Sequence, residues 1–553
     1  MDARALAAGL EEFIAHEVGD KAIPSISYAV VDRDVLLATG HVVRPDLGHR
    51  LDDRSLFRIG SLTKMFTAIG IMQLAEKGLL DIDADVSAYI PGFHPVNPFL
   101  GRERGLLGSQ VSLRKLMSHT AGLVREPKDG HYLDDRRKGL EVTVEGLKNS
   151  VLKEDPSAGI MHYSNAGIAV VGWVLEQVSG LRYADYVARH IFEPLGMADS
   201  SAALAPEMRD RLAPAWMWDF DRDFPAPVFD LGGLPAGAIF STAPDMAKFA
   251  ICMLRGGFAP DGRSILSPAS LRQMWTVVGR RPAGHSSSQK GYGLCFGVGE
   301  VDGWLSVGHG GAVYGYATQM AALPHAGLAA LTFSTLDFSN QIGDRLAKRA
   351  LQLALAQRRM GRPPAPVAKH PALAAAHLTA MPGVYQSADG GESVELRAKD
   401  GRLYLMGEGV PLELKWRGGD AFTIDGRIYG EGADYPHLDL TFGADGVLGW
   451  KGKDWTRRNA VYSDVPAGLA PHLGVYGPDF NPTHLFYADG RLKCLIEYFC
   501  THDCEQLPDG SWRMHGILYE GETLELAARD EEGRTGIRVG PMFLARHGSP
   551  TAS

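Results

Sequence analysis

From Leu62 to Ala75 the chain offers almost no polar face. Leu62, Met65, Phe66, Ala68, Ile69, Ile71, Met72, Leu74 and Ala75 go round nearly the whole circumference of a helix, and a helix apolar on every side has to be surrounded by other elements. It therefore marks the centre of a core. Lys77-Gly78, a basic residue then a glycine, is its stop signal. Its entrance reads Phe57-Arg58-Ile59-Gly60-Ser61-Leu62-Thr63-Lys64. Gly60 allows a sharp turn that presents Ser61 at the helix N-terminus, where the positive end of the helix dipole faces any oxyanion. Ser61 and Lys64 share one face of that helix. A serine hydroxyl is a poor nucleophile until a neighbouring base takes its proton, and lysine serves as that base when burial or another cation lowers its pKa. A capped core helix has the same residues, so this stretch needs partners before it means chemistry.

The elements around it set the fold class. Ile23 to Thr39 alternates and is β-rich with Asp32-Arg33-Asp34 as a turn, which predicts an antiparallel hairpin. Val111 to Met117 starts a helix, residues 125–158 are strongly charged and read as a surface excursion, and a buried helix runs from Tyr163 to Val178. Ser241-Thr242-Ala243-Pro244-Asp245 has capping-box spacing before a helix through Leu254. Trp304–Val307, Tyr316–Leu323 and Leu328–Phe333 read as strands, and Asn340 to Gln357 as a closing helix. Strands at both ends of a mainly helical stretch predict an α+β domain over 1–357: an antiparallel sheet flanked by helices, with a helical subdomain inserted.

Residues 358–374, with Pro363, Pro364, Pro366 and Pro371, read as a linker. Beyond it the pattern changes to short β-rich runs separated by Asp-Gly and Gly-Asp turns. Gly383-Val384-Tyr385 before Asp400-Gly401-Arg402-Leu403 is echoed by Gly474-Val475-Tyr476 before Asp489-Gly490-Arg491-Leu492. That duplication predicts two small antiparallel β-barrels, over 375–463 and 464–553.

Charge and cysteine usage narrow the function classes. A net charge of −9 argues against nucleic acid or an anionic membrane as the main partner. No apolar run reaches transmembrane length, and residues 1–19 lack the basic start and apolar block of a signal peptide, which makes the cytoplasm the expected location. Five cysteines do not make a disulfide framework. Cys500-Thr501-His502-Asp503-Cys504 lacks the second ligand pair of a four-coordinate site, so neither metal nor cofactor is expected, and Cys494 and Cys500 read as buried thiols. Asp81 and Asp83 read as turn caps. The aromatics between Trp216 and Phe229 are assigned either to packing or to a hydrophobic substrate pocket.

Two later motifs give Ser61 its partners. Tyr163-Ser164-Asn165 opens the buried helix. A tyrosine beside a lysine can carry a proton between nucleophile and leaving group, and Asn165 offers a donor and an acceptor to a substrate amide. Gly308-His309-Gly310-Gly311-Ala312 lies at the entry to, or in the body of, a strand, where glycines let a substrate backbone approach. His119, in Ser118–Leu123, reads as structural.

S-x-x-K, Y-x-N and H-x-G in this order resemble the serine β-lactamase and penicillin-binding-protein superfamily in its class C branch, which includes carboxypeptidases, D-aminopeptidases and esterases. Ser118–Leu123, Tyr163–Gly180, His190–Met197, Pro235-Ala236-Gly237 and Phe240-Ser241-Thr242 extend the resemblance over about residues 10–357, and the two barrels resemble the D-aminopeptidase architecture. The resemblance implies that Ser61 is acylated, Lys64 is its base partner, Tyr163 moves the proton and Asn165 contacts substrate. It also implies that N–H groups of Ser61 and Ala312 form an oxyanion hole, with Gly310 and Gly311 beside it. His309 stands where β-lactamases carry lysine, and is expected to bond Tyr163 or a substrate carboxylate. The function implied is a metal-independent serine hydrolase acting on small peptides or amides, with an esterase, lactonase or β-lactamase as the alternative and a non-catalytic sensor as the remaining one. The expected partner is a small-molecule or short-peptide substrate, with self-association left open.

Overall fold

The computed structural model describes residues 2–100, 110–134, 139–220, 222–228, 235–281, 289–407, 409–430, 437–459, 464–498, 500–516 and 518–548. They divide into two compact units, one formed by 1–132, 136–217 and 224–366, the other by 133–135, 218–223 and 367–553.

The first unit is organised round a seven-stranded antiparallel sheet. Across it lie Leu36–Val43, Ser25–Asp32, Leu328–Ser334, Tyr316–Leu323, Trp304–Val313, Gly297–Val301 and Gln289–Tyr292. The N-terminal hairpin is stitched to the end of the domain by a register running from Ile26↔Ser334 to Asp32↔Leu328. Both ends of the domain therefore share one sheet, as the sequence implies, and the helix Asn340–Gln357 closes it. The last two strands were not anticipated, and the site strand Trp304–Val313 is longer than the expected Trp304–Val307, so His309 to Ala312 lie in its body.

The helix Thr63–Glu76 is buried from Thr63 to Leu74. Phe66 stacks on Phe249 with centroids 4.3 Å apart. A Cβ on Gly70 would stand 2.5 Å from Leu175 Cδ1 on the helix Asn165–Ser179, so the glycine allows these two helices their close approach. Ser164 caps that second helix by accepting the Gly167 N–H at 2.8 Å while its hydroxyl donates to Val124 carbonyl at 2.6 Å. The expected capping box forms only in half. Thr242 Oγ1 accepts the Asp245 N–H, but the Asp245 carboxylate is taken by the Asp199 N–H, Ser200 and Lys248.

The charged stretch from 125 onward corrects the expectation of a surface excursion. Glu126 is 3 %, Asp129 8 % and His131 4 % exposed. Charged side chains accept such burial where polar partners meet them, and Asn165 does so for Glu126.

In the second unit Gly383–Arg458 forms a closed eight-stranded antiparallel barrel. Gly474–Ala545 forms a second eight-stranded set whose ends meet in the bridge Tyr476↔Arg546. The echo in sequence is an echo in structure. Tyr385 donates to the Met381 carbonyl and Tyr476 to the His472 carbonyl, each four residues back. Arg457 donates to the Pro382 carbonyl and Arg546 to the Leu473 carbonyl, each three residues before that tyrosine. All five cysteines are free and buried. Trp218 and Phe220 pack within this unit, under Arg427 and against Tyr404 respectively, which assigns both to packing; Phe229 lies outside the described residues. Among the described residues no helix is long and apolar enough to cross a membrane.

Candidate active site

Gly60 holds φ +53°, a left-handed conformation that favours glycine, and opens a short 3-10 turn, Gly60–Leu62, before the α-helix begins at Thr63. The turn sets Ser61 one step outside the helix and drops Lys64 beneath it. Lys64 is fully buried. Its Nζ donates to Ser61 Oγ at 3.0 Å and to the Ala236 carbonyl at 2.7 Å. No carboxylate among the described residues is hydrogen-bonded to Lys64 or ion-paired with it, so the ammonium charge is met by neutral oxygens.

Tyr163 arrives from the chain entering the capped helix. Its hydroxyl donates to Ser61 Oγ at 3.0 Å, and Lys64 Nζ stands 5.1 Å from its ring centroid. Arg125 lies 5.4 Å from the same ring. Both cations thus lie over the face of the Tyr163 ring and hold it in place beside Ser61. Asn165, on the first turn, donates from Nδ2 to Glu126 Oε1 at 2.5 Å. That bond settles which way the carboxamide faces.

The site strand runs against the nucleophile turn with no room to spare. A Cβ on Gly60 would lie 2.8 Å from the Ala312 nitrogen, and one on Gly311 would lie 2.1 Å from the Ile59 carbonyl oxygen. Thr318 holds the Ile59 carbonyl at 2.9 Å and Asn340 holds the Gly311 carbonyl at 2.7 Å. The Ala312 N–H and the Ser61 turn are thus adjacent backbone segments, the arrangement an oxyanion hole requires. The structure brings Ser61, Lys64, Tyr163, Gly311 and Ala312 together, while the Asn165 amide is engaged by Glu126.

His309 departs from its expected role. Its Nδ1 lies 2.5 Å from the Gly310 carbonyl and its Nε2 2.6 Å from the Tyr292 hydroxyl. A carbonyl only accepts, so Nδ1 carries the proton and Nε2 accepts from Tyr292. Neither nitrogen is directed to Tyr163, whose ring centroid is 6.4 Å away. Burial, reinforced by the charge of Lys64, pushes the imidazole pKa down to about 3, and burial pushes the Tyr292 phenol well up. A neutral imidazole donor-acceptor replaces the cation that the lysine of the resemblance would supply. His119 packs on Tyr163 at 4.3 Å and accepts the Ser164 N–H at 3.2 Å, a structural use. Sequence reasoning missed Tyr292, Arg125, Glu126 and the Ala236 carbonyl. Only Tyr292 carried a signal, as an aromatic between two glycines, Gly291 and Gly293.

Residues 10–355 match the family described as Beta-lactamase. The chain is 29% identical over 315 residues to penicillin-binding protein 4 of Amycolatopsis lactamdurans, spanning 56% of this chain and 80% of that one. The structure is similar, with a TM-score of 0.55 at 20% identity, to the octameric penicillin-binding protein homologue from Pyrococcus abyssi, over 89% of this chain and 99% of that one. It is also similar to the D-amino acid amidase from Ochrobactrum anthropi SV3 complexed with D-phenylalanine, with a TM-score of 0.53, 22% identity, and coverage of 63% and 99%. The chain belongs to the beta-lactamase family.

Proposed function

We propose that the chain is a serine hydrolase that forms an acyl-enzyme on Ser61 with small peptide or amide substrates. The observation that carries this is the double donation to one atom: Ser61 Oγ receives Lys64 Nζ and the Tyr163 hydroxyl, each at 3.0 Å.

In the reading proposed, Tyr163 and Lys64, both hydrogen-bonded to Ser61 Oγ, act together as the base that takes the Ser61 proton as the hydroxyl attacks. Ser61 Oγ attacks the substrate carbonyl, and the oxyanion settles between the N–H groups of Ser61 and Ala312, where each donor contributes about 3 kcal/mol to lowering the barrier. Tyr163 then passes its proton to the leaving amine. Water repeats the sequence to release the acyl group. Asn165, its Nδ2 turned to Glu126, offers its carbonyl oxygen to the substrate amide. Nothing in this cycle asks for a metal or cofactor.

The test is mass spectrometry after exposure to a fluorophosphonate, followed by a panel of p-nitroanilides of L- and D-amino acids beside p-nitrophenyl esters. An adduct on Ser61, absent in Ser61→Ala, with turnover of the anilides, is the expected result. Turnover of esters alone would replace the amidase reading with an esterase, and full activity of Ser61→Ala would overturn both.

A further inference from the structure

The chemistry of the cleft says something about which acyl donors it admits. Lys64 is buried beneath Ser61 and tied to the Ala236 carbonyl, and Arg125 is paired with Glu126 at 3.7 Å, so a cation that draws a substrate carboxylate into the cleft would have to stand on the site strand. The only side chain of the site strand near that position is His309, and both its nitrogens are spoken for: Nδ1–H on the Gly310 carbonyl and Nε2 on the Tyr292 hydroxyl. Tyr292 is 5 % and His309 8 % exposed, so neither contact is a solvent accident. For the imidazole to turn an N–H toward an anion, Nε2 would have to be protonated, and the Tyr292 hydroxyl would have to stop donating to it.

We propose that Tyr292 is a specificity-determining residue: by donating to His309 Nε2 it keeps the imidazole from presenting a proton to an anion, so the cleft takes neutral amides and rejects acyl donors that bring a carboxylate against the imidazole. This rests on the serine-hydrolase reading above and names the substrate class within it. The groups around the imidazole act in the same direction. Lys64 on the nucleophile helix opposes a second positive charge. Tyr163 and Tyr292 flank the ring at centroid distances of 6.4 Å and 5.6 Å. His119 lies 4.9 Å from Tyr292 and is itself held neutral by burial, and the buried thiol of Cys295 beside Tyr292 stays protonated. No carboxylate is among the groups that perturb His309, so nothing in the resting site rewards its protonation.

The experiment uses two boronic acids that add to a nucleophilic serine, phenylboronic acid and 3-carboxyphenylboronic acid, with inhibition constants measured on the full chain from pH 8 to pH 5.5. The wild-type chain should bind the two within about threefold of each other, or prefer the neutral one, with a ratio flat in pH. In Tyr292→Phe the Nε2 is released, and a bound carboxylate supplies the counter-charge that lets it take a proton. The ratio should then move toward the carboxylate as pH falls, by at least about fivefold at pH 5.5. A wild-type preference for the carboxylate, or a ratio in Tyr292→Phe that stays flat, overturns the proposal. Nitrogen-15 NMR of the wild-type imidazoles, assigned with His309→Gln, gives a reading that does not depend on the variant folding. His309 should remain the neutral Nδ1–H tautomer from pH 8 to pH 5, and an Nε2–H tautomer or titration in that range overturns the proposal. Failure of both boronates to bind, or equal binding by Ser61→Ala, would instead remove the acyl-enzyme reading and leave the NMR result to stand on its own.

Discussion

Replacing Gly311 with alanine should cripple turnover in a protein that still folds. The added Cβ would stand 2.1 Å from the Ile59 carbonyl oxygen and 2.4 Å from Thr318 Oγ1, where real Cβ atoms essentially never come closer than 3.0 Å. Relief therefore requires a displacement of about 0.9 Å (3.0 less 2.1) between the site strand and the segment that carries Ser61. The Ile59 oxygen cannot yield alone, because Thr318 holds it at 2.9 Å and the neighbouring Gly311 carbonyl is held by Asn340 at 2.7 Å. Moving an oxyanion donor by about 1 Å costs on the order of 100-fold in rate, while overpacking of this kind costs about 1–3 kcal/mol of stability. The assay is kcat/KM on the best anilide beside a thermal melt. Gly78→Ala is the control: Gly78 has φ +68° and nothing within 4 Å of an added Cβ, so its substitution strains the backbone without touching the site. Gly311→Ala should lose about 100-fold in kcat/KM and Gly78→Ala should lose only melting temperature. A Gly311→Ala enzyme within threefold of wild type would show that the strand yields freely and that its spacing to Ser61 is not what holds the oxyanion hole.

Further expectations follow from other residues. Tyr163→Phe removes the proton carrier and should lower kcat by about 100-fold to 10,000-fold with little change in KM, read by steady-state kinetics; a fall in KM affinity alone would assign Tyr163 to binding. Glu126→Gln keeps the shape but weakens the charge-assisted bond to Asn165 Nδ2, so KM for amides should rise more than kcat falls. His502 is fully buried in the second barrel, and burial lowers its pKa from 6.5 to about 4. Its folded value lies below its unfolded value, so the stability it contributes is fully present above pH 6.5 and is lost as pH falls toward 4. By pH 4.5 the loss is about 2–3 kcal/mol; urea midpoints at pH 7 and 4.5 should fall apart in wild type and converge in His502→Leu. Glu17 sits with Lys21 at 3.2 Å and with Arg345, all nearly solvent-free, and Lys21 also meets Asp20 at 2.8 Å, so Glu17→Gln removes one buried carboxylate shared by two cations and should cost about 3 kcal/mol in a denaturant titration.

What the sequence disclosed was whatever is local. The apolar run after Ser61, the Ser61–Lys64 spacing and the opening of a buried helix at Tyr163-Ser164-Asn165 all declare themselves within one or two turns of chain, and the duplication of Gly383-Val384-Tyr385 in Gly474-Val475-Tyr476 is visible by eye. The glycines of the site strand were legible, because a residue whose Cβ would fall 2.1 Å from a carbonyl oxygen cannot carry a side chain. The pairing of His309 with Tyr292 was not legible. It depends on Gly297 facing Gly308 and on Tyr292 facing Gly297, a register two strands long. Glu126 was misread for a related reason. In sequence it is one charge in a charged run, and only the fold shows that Asn165 waits for it.

The central sheet also constrains how the chain can be made. Its second strand cannot gain its permanent neighbour until Leu328–Ser334 exists, since Ile26 pairs with Ser334. At roughly 5–20 residues per second of synthesis, those 300 or so intervening residues take about 15–60 s to leave the ribosome. Throughout that interval the N-terminal hairpin is a two-stranded ribbon, marginal by itself in water, with one open edge. The nucleophile helix, apolar on every side, waits beside it for the same closure. Production of this protein is therefore expected to depend on chaperones that shelter the first hundred residues, and slowing translation before residue 328 should lengthen that exposure and raise the aggregated fraction.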